Sequence, residues 1–105
     1  IENDNKYAAK VPLETARLCL DVAILAGRLI EIGNPNSVTD AAVAVEVSVA
    51  GLRGACLNVL ININEISDGN FSSKKLKQVK DLIEKSEALK VKSFDNTLKI
   101  ISGSK

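Results

Sequence analysis

Gly33-Asn34-Pro35-Asn36-Ser37-Val38-Thr39-Asp40 runs directly into an almost charge-free stretch that ends in Asn58-Val59-Leu60-Ile61-Asn62. Each residue of the first segment has a helix-ending or helix-starting property. Gly33 takes up the left-handed conformation that closes a helix, and Pro35 has no N–H with which to resume it. Asn36, Ser37, Thr39 and Asp40 are the residue types that begin a new one. A polar turn therefore separates two helices, and the second is expected to start between Ser37 and Thr39 and to run to about Ile66. At 1.5 Å per residue that helix is about 40 Å long.

Residues placed at 100° intervals divide this helix into two unlike sides. Val45, Val49, Leu52, Cys56, Val59, Leu60 and Ile63 form a bulky apolar side suited to core packing. Ala44, Gly51, Gly54 and Ala55 form a small side, with Asp40 and Asn58 near its ends and Asn62 one turn further on. Two glycines inside a helix cost about 1 kcal/mol each relative to alanine. A close approach by another backbone or a ligand would compensate, so the helix is expected to be enclosed on nearly all sides. Glu46 and Arg53 interrupt it, and its longest uncharged stretch, Gly54 to Asn64, is shorter than the roughly 20 residues of a bilayer crossing. No membrane partner is expected.

Working outward, a first helix is expected to begin at Pro12, where the missing N–H is not needed. Its charges Glu14, Arg17, Asp21, Arg28 and Glu31 make a narrow stripe, while Leu13, Leu18, Leu20, Val22, Leu25, Leu29 and Ile32 cover the remaining surface. That apolar arc is wider than one-sided packing requires. Beyond the second helix, Asp68-Gly69-Asn70 reads as a turn, with Ser72 or Ser73 as the cap of a third helix. Leu76, Val79, Leu82, Ile83, Leu89, Phe94, Leu98 and Ile101 keep a helical period there, a break is expected near Val91 to Ser93, and pairs such as Asp81 with Lys85 mark a solvated face. The fold class is all-α: a multihelical bundle around a long buried central helix. Three helices alone leave an apolar patch in water, so further chain or a second subunit is expected to cover it.

Composition narrows the function. With 105 residues and 46% apolar content the chain is one domain or part of one. There is no Met, and an initiator Met would not be removed before so bulky a residue as Ile1, so the chain is read as a piece of a longer one. A net charge of +1 and only three aromatic residues, Tyr7, Phe71 and Phe94, give nucleic acid neither a basic stripe nor a stacking platform. Cys19 and Cys56 stand apart in apolar helical patterns and read as buried reduced thiols, which points to a reducing, cytoplasmic location. With no His and no close Cys pair, neither a metal site nor a Ser-His or Cys-His nucleophile is expected. No leader is visible in Ile1-Glu2-Asn3-Asp4-Asn5.

The candidate chemistry lies in amides, hydroxyls and one carboxylate. Asn36-Ser37-Val38-Thr39-Asp40 reads first as a helix cap, Ser37 with Asp40 three residues on resembling a capping box; a ligand role is compatible with it, since a helix N-terminus is itself a site for anionic groups. Asn58 and Asn62, amides in an apolar helix, need hydrogen bonds if buried, to a neighbouring helix or to a ligand. Glu46 and Arg53, about 10 Å apart along one face, read as structural charges that pair with each other or with another segment.

The run from Gly33 to Ala44, with Gly54-Ala55-Cys56-Leu57-Asn58-Val59-Leu60-Ile61-Asn62 behind it and Val11-Pro12-Leu13 before it, resembles the C-terminal half of the formiminotransferase-cyclodeaminase family. The resemblance covers residues 8 to 90 and makes residues 1–105 the C-terminal part of a single helical cyclodeaminase-like domain. It implies an all-helical, intertwined dimer. It also implies folate one-carbon chemistry: loss of ammonia from 5-formiminotetrahydrofolate, or hydrolysis of the 5,10-methenyl form to 10-formyltetrahydrofolate, with a tetrahydrofolate derivative as substrate and no other cofactor. Asn34, Asn36, Ser37 and Asp40 match the family's polar turn, and Asn58 and Asn62 its helix amides; these six are the implied ligand-binding residues. The family's glycine-rich segment and proton-transferring acid precede the Val-Pro-Leu helix, and nothing in residues 1–11 matches that acid, so no catalytic residue is assigned within this chain. Two readings follow: a fragment of a folate cyclodeaminase or cyclohydrolase working as a homodimer or with a companion N-terminal segment, or a non-catalytic helical oligomerisation module on the same scaffold.

Overall fold

The computed structural model describes residues 2–103; Ile1, on which the reading of an internal chain start rested, lies outside them. Three helices follow in order: α1 (Glu2–Ile32), α2 (Val38–Ile63) and α3 (Gly69–Ile101). Lys6 meets Asp68, and Gly27 meets Leu89 and Ser93, so α1 and α3 run parallel. Cys19 meets Gly51, and Ala8 meets Asn62, so α2 runs antiparallel to α1. The result is an up-down-up bundle 55 Å long and 17 by 15 Å across.

The polar turn closes as read. Gly33 has φ +76° and donates its N–H to Ile30 O at 2.9 Å. The carbonyl of Asn34 then accepts from Ser37 and Val38 at 3.1 and 3.0 Å, and α2 starts. Its predicted bulky side is the buried one: Val45, Val49, Leu52, Cys56, Val59 and Ile63 face α1 and α3, with Leu60 packed beside them. Within one chain the other side is not enclosed. Val43, Val47, Leu57 and Ile61 are exposed, and a Cβ on Gly54 would meet nothing within 4 Å. Gly51 does have the close neighbour expected of it, since Cys19 Sγ would lie 3.2 Å from an added Cβ.

Three boundaries differ from the sequence reading. Pro12 is inside α1 rather than at its start; the carbonyl it leaves without a donor is satisfied from α2, as described below. The cap of α3 is Asp68, whose Oδ1 accepts from Phe71 N at 3.1 Å, while Ser72 Oγ donates back to Ile63 O at 3.3 Å. Finally α3 runs unbroken through Val91–Ser93 because its inward face changes character. Ser86, Ser93 and Thr97 are buried there, and the hydroxyls of Ser86 and Thr97 bond to Ile83 O at 3.0 Å and Ser93 O at 2.7 Å. These small side chains let α3 approach Gly27, Ala23 and Ala26 of α1, whereas Phe94, Leu98 and Ile101 point outward.

The first helix is packed in the opposite sense from a lone bundle. Its buried row is mostly small, with Ala9, Leu13, Ala16, Ala23, Ala26 and Ile30, and its larger Leu18, Val22, Leu25, Leu29 and Ile32 face outward. By length and mean hydropathy alone, α2 is capable of crossing a membrane, which the count of uncharged residues had argued against. Glu46 and Arg53 lie within it, and its bulky side packs on α1 and α3.

Candidate functional site

A proline at position 12 cannot donate to the carbonyl of Ala8, the acceptor that a residue at this place in a helix would use. Asn62 of α2 supplies the missing donor: its Nδ2 is 3.2 Å from Ala8 O and 2.9 Å from Asn58 O. Both partners are acceptors, which fixes the amide's orientation and uses both of its N–H bonds. Only Asn62 Oδ1 is left for a ligand. Asn58 is exposed, and its side chain bonds to nothing among the described residues. The two amides line one groove of about 380 Å³ with Pro12, Thr15, Val11, Ala8 and Ala55, a small apolar floor with two amide groups.

The other four predicted residues lie at the far end of α2. Asn34 Oδ1 accepts from Asn36 N at 3.0 Å, so Asn34 holds the turn and its oxygen is occupied. Ser37 is at the N-cap, yet its hydroxyl makes no cap bond, and Asp40 in the first turn bonds to nothing among the described residues. The expected capping box is therefore absent: with φ −123° and ψ −1°, the backbone at Ser37 departs from the extended conformation usual at an N-cap. The N–H groups of Thr39 and Asp40 are left without partners among the described residues, beside exposed Asn36, Ser37 and Asp40. The structure thus brings together Asn58 with Asn62, and Asn34 and Asn36 with Ser37 and Asp40. It does not join the two groups, which within one chain are about 27 Å apart at 1.5 Å per residue from position 40 to 58.

Electrostatics adds no acid–base couple to either group. Arg53 reaches Glu87 at 3.9 Å, an exposed contact, and Glu46 has no ion-pair partner among the described residues. Cys56 is buried and Cys19 half-buried, both free, and burial followed by the neighbouring Cys19 pushes the Cys56 thiol up. No group of three or more His, Cys, Asp or Glu able to hold a metal occurs among the described residues. One arrangement that the sequence reading missed is at the lower end, where Lys6 bonds Asp68 Oδ2 at 2.9 Å and both Lys6 and Lys75 stand over the Phe71 ring, 5.2 and 5.3 Å from its centre. Lys75 is held below its usual range by partial burial and by Arg17, Lys74 and Lys10.

The family model described as formiminotransferase-cyclodeaminase matches residues 1–81, which include the polar turn, all of α2 and both amides. The chain belongs to the formiminotransferase-cyclodeaminase family. It is also 38% identical over 95 residues to a methenyltetrahydrofolate cyclohydrolase of Methylorubrum extorquens, an alignment covering 90% of this chain and 46% of that relative. The chain spans about half the length of this curated relative. Membership accords with the all-helical architecture.

Proposed function

We propose that this chain forms part of a folate one-carbon enzyme, a formiminotetrahydrofolate cyclodeaminase or methenyltetrahydrofolate cyclohydrolase, and contributes part of its folate pocket. The similarity to a methenyltetrahydrofolate cyclohydrolase over 90% of the chain carries the reading. Asn36 and Ser37 with the free N–H groups of the α2 start suit an anionic or carbonyl-bearing part of the substrate, and the Asp40 carboxylate suits a donor such as the pterin amino group. Asn58 and the Oδ1 of Asn62 suit a heterocycle edge that both donates and accepts. Asn34 acts from behind by setting the turn. The substrate is a tetrahydrofolate derivative, no further cofactor takes part, and the reaction belongs to the cytoplasm.

Both reactions need a proton donor or acceptor at the reacting carbon. We assign that group to polypeptide beyond residues 1–105, as a companion N-terminal segment or a second subunit. The outward row Leu18, Val22, Leu25, Leu29 and Ile32 of α1 gives such a segment an apolar surface to cover. The test is turnover by the assembled protein, following loss of the methenyl chromophore and, separately, release of ammonia from 5-formiminotetrahydrofolate. Acceleration of either above the uncatalysed rate supports the enzyme and identifies the reaction. Neither reaction, in a protein that binds no reduced folate, leaves the scaffold as a non-catalytic oligomerisation module.

A further inference from the structure

Where the first halves of α1 and α3 run side by side, the chain gathers positive charge that it does not neutralise. Lys6, Lys10 and Arg17 lie within about 40° of one another round α1 at 100° per residue, on the flank where Lys6 bonds Asp68 and stands over the Phe71 ring. Lys75 of α3 stands over the same ring, 5.3 Å from its centre. Arg17, Lys74 and Lys10 are close enough to Lys75 to disfavour its charged form, after burial itself. Lys10, Arg17, Lys74 and Lys75 enter no ion pair among the described residues. Of the carboxylates nearby, Asp68 is occupied by Lys6 and the Phe71 N–H. Glu14 stands about 40° beyond Lys10 round α1, away from α3.

A neutral donor joins these cations. Gln78 follows Lys75 by one helical turn on the row begun by Phe71. Its Oε1 is buried without a partner, whereas its Nε2, equally unbonded among the described residues, is open to solvent. Both N–H bonds of that amide are therefore available. We propose that this groove between α1 and α3 binds an anion of one or two phosphoryl groups, held by Lys10 and Arg17 from one helix and by Lys74, Lys75 and Gln78 from the other.

Size and charge select that class. Lys10 and Arg17 are about 10 Å apart along the axis, a span suited to a phosphate or diphosphate and too short to track a nucleic-acid backbone. Several unpaired cations exceed what a single carboxylate would balance, and the Arg17 guanidinium offers the paired N–H groups that match phosphoryl oxygens. Such an anion would also offset the mutual repulsion now borne by Lys75 and its neighbours. The groove is distinct from the one lined by Asn58 and Asn62: Val11 and Thr15, which belong to that one, lie at least about 100° round α1 from Lys10 and Arg17. The inference therefore goes beyond the folate reading, and its experiment contains no folate.

The experiment is isothermal titration of the assembled protein with inorganic pyrophosphate at low ionic strength, with citrate as a carboxylate of comparable charge. Saturable binding of pyrophosphate, tighter than that of citrate, is the expected result. Arg17→Gln and Lys75→Gln, which remove charges from the two walls of the groove, should each weaken it at least about ten-fold while the helical circular dichroism is kept. Lys80→Gln removes the same charge from an exposed position about 140° round α3 from Lys75, and it should leave the affinity unchanged. Sedimentation with phosphatidic acid vesicles, run in parallel, separates a lipid headgroup from a soluble phosphate as the source; retention of either through Arg17 and Lys75 supports the site. Binding of neither pyrophosphate nor vesicles overturns the proposal. Full affinity in both groove variants, an equal loss in Lys80→Gln, or citrate held as tightly as pyrophosphate does so as well.

Discussion

Pro12, Ala8 and Asn62 show how one residue's defect is corrected by another that is distant in sequence. The proline leaves Ala8 O without its helical donor, and Asn62 reaches across from α2 to supply one at 3.2 Å. Asn62→Ala is expected to lower stability by about 1–2 kcal/mol, the range for a carbonyl left unsatisfied. In a Pro12→Ala background, where the helix supplies its own N–H, the same substitution should cost measurably less in urea unfolding; equal costs would remove Asn62 from this role. Ser37→Ala should change stability by less than about 0.5 kcal/mol, because its hydroxyl makes no cap bond. Asp68 is the working cap, and Lys6 first and the Phe71 N–H second hold its carboxyl below the usual range. Because the folded value is the lower one, its contribution is present above the unfolded carboxyl's value of about 4 and is lost as pH falls below that through the lower, folded value. The wild type should lose stability more steeply than Asp68→Asn in that acid window when the two are followed by thermal unfolding.

At the level of the helices, the glycines and hydroxyls decide which faces meet. Gly51 admits Cys19 Sγ, and an added Cβ would lie 3.2 Å from it. Gly51→Ala alone is therefore expected to be near neutral, its helix-propensity gain offset by displacement of Cys19. In a Cys19→Ala background it should stabilise by about 1 kcal/mol, measured by urea midpoint; no gain there would show that the crowding at Gly51 lies elsewhere. The two helix boundaries at the polar turn were legible because Gly33 and Pro35 act through backbone geometry, which does not depend on neighbours. The buried row of α2 was legible because its bulky residues share a 3.6-residue period. The inward face of the second half of α3 was not legible. Phe94, Leu98 and Ile101 have the stronger apolar period, yet Ser86, Ser93 and Thr97 are inside because the small α1 surface around Gly27 permits close approach and local bonds satisfy two of the hydroxyls. Pro12 misled for a related reason, since its compensation comes from another helix.

Taken whole, the molecule is a slender bundle on which Leu18, Val22, Leu25, Leu29 and Ile32 of α1 and Val43, Val47, Leu57 and Ile61 of α2 face outward. The polar turn and the α2 amides stood out in the sequence as residues unusual for their surroundings. That they lie at opposite ends of one helix followed from spacing alone, and the pocket proposed for them depends on surfaces that no single-chain pattern describes. The proposed folate role therefore depends on whether the assembled protein binds folate through these residues. Isothermal titration with a non-reacting reduced folate, comparing wild type with Asn58→Ala, addresses this: Asn58 is exposed and unbonded, so its loss should leave the urea midpoint unchanged. Binding by the wild type that weakens about ten-fold or more in Asn58→Ala, equivalent to about 1.4 kcal/mol, is the predicted result. Equal affinity in the two proteins would contradict the placement of the pocket, and no binding by the assembled wild type would contradict the folate function itself.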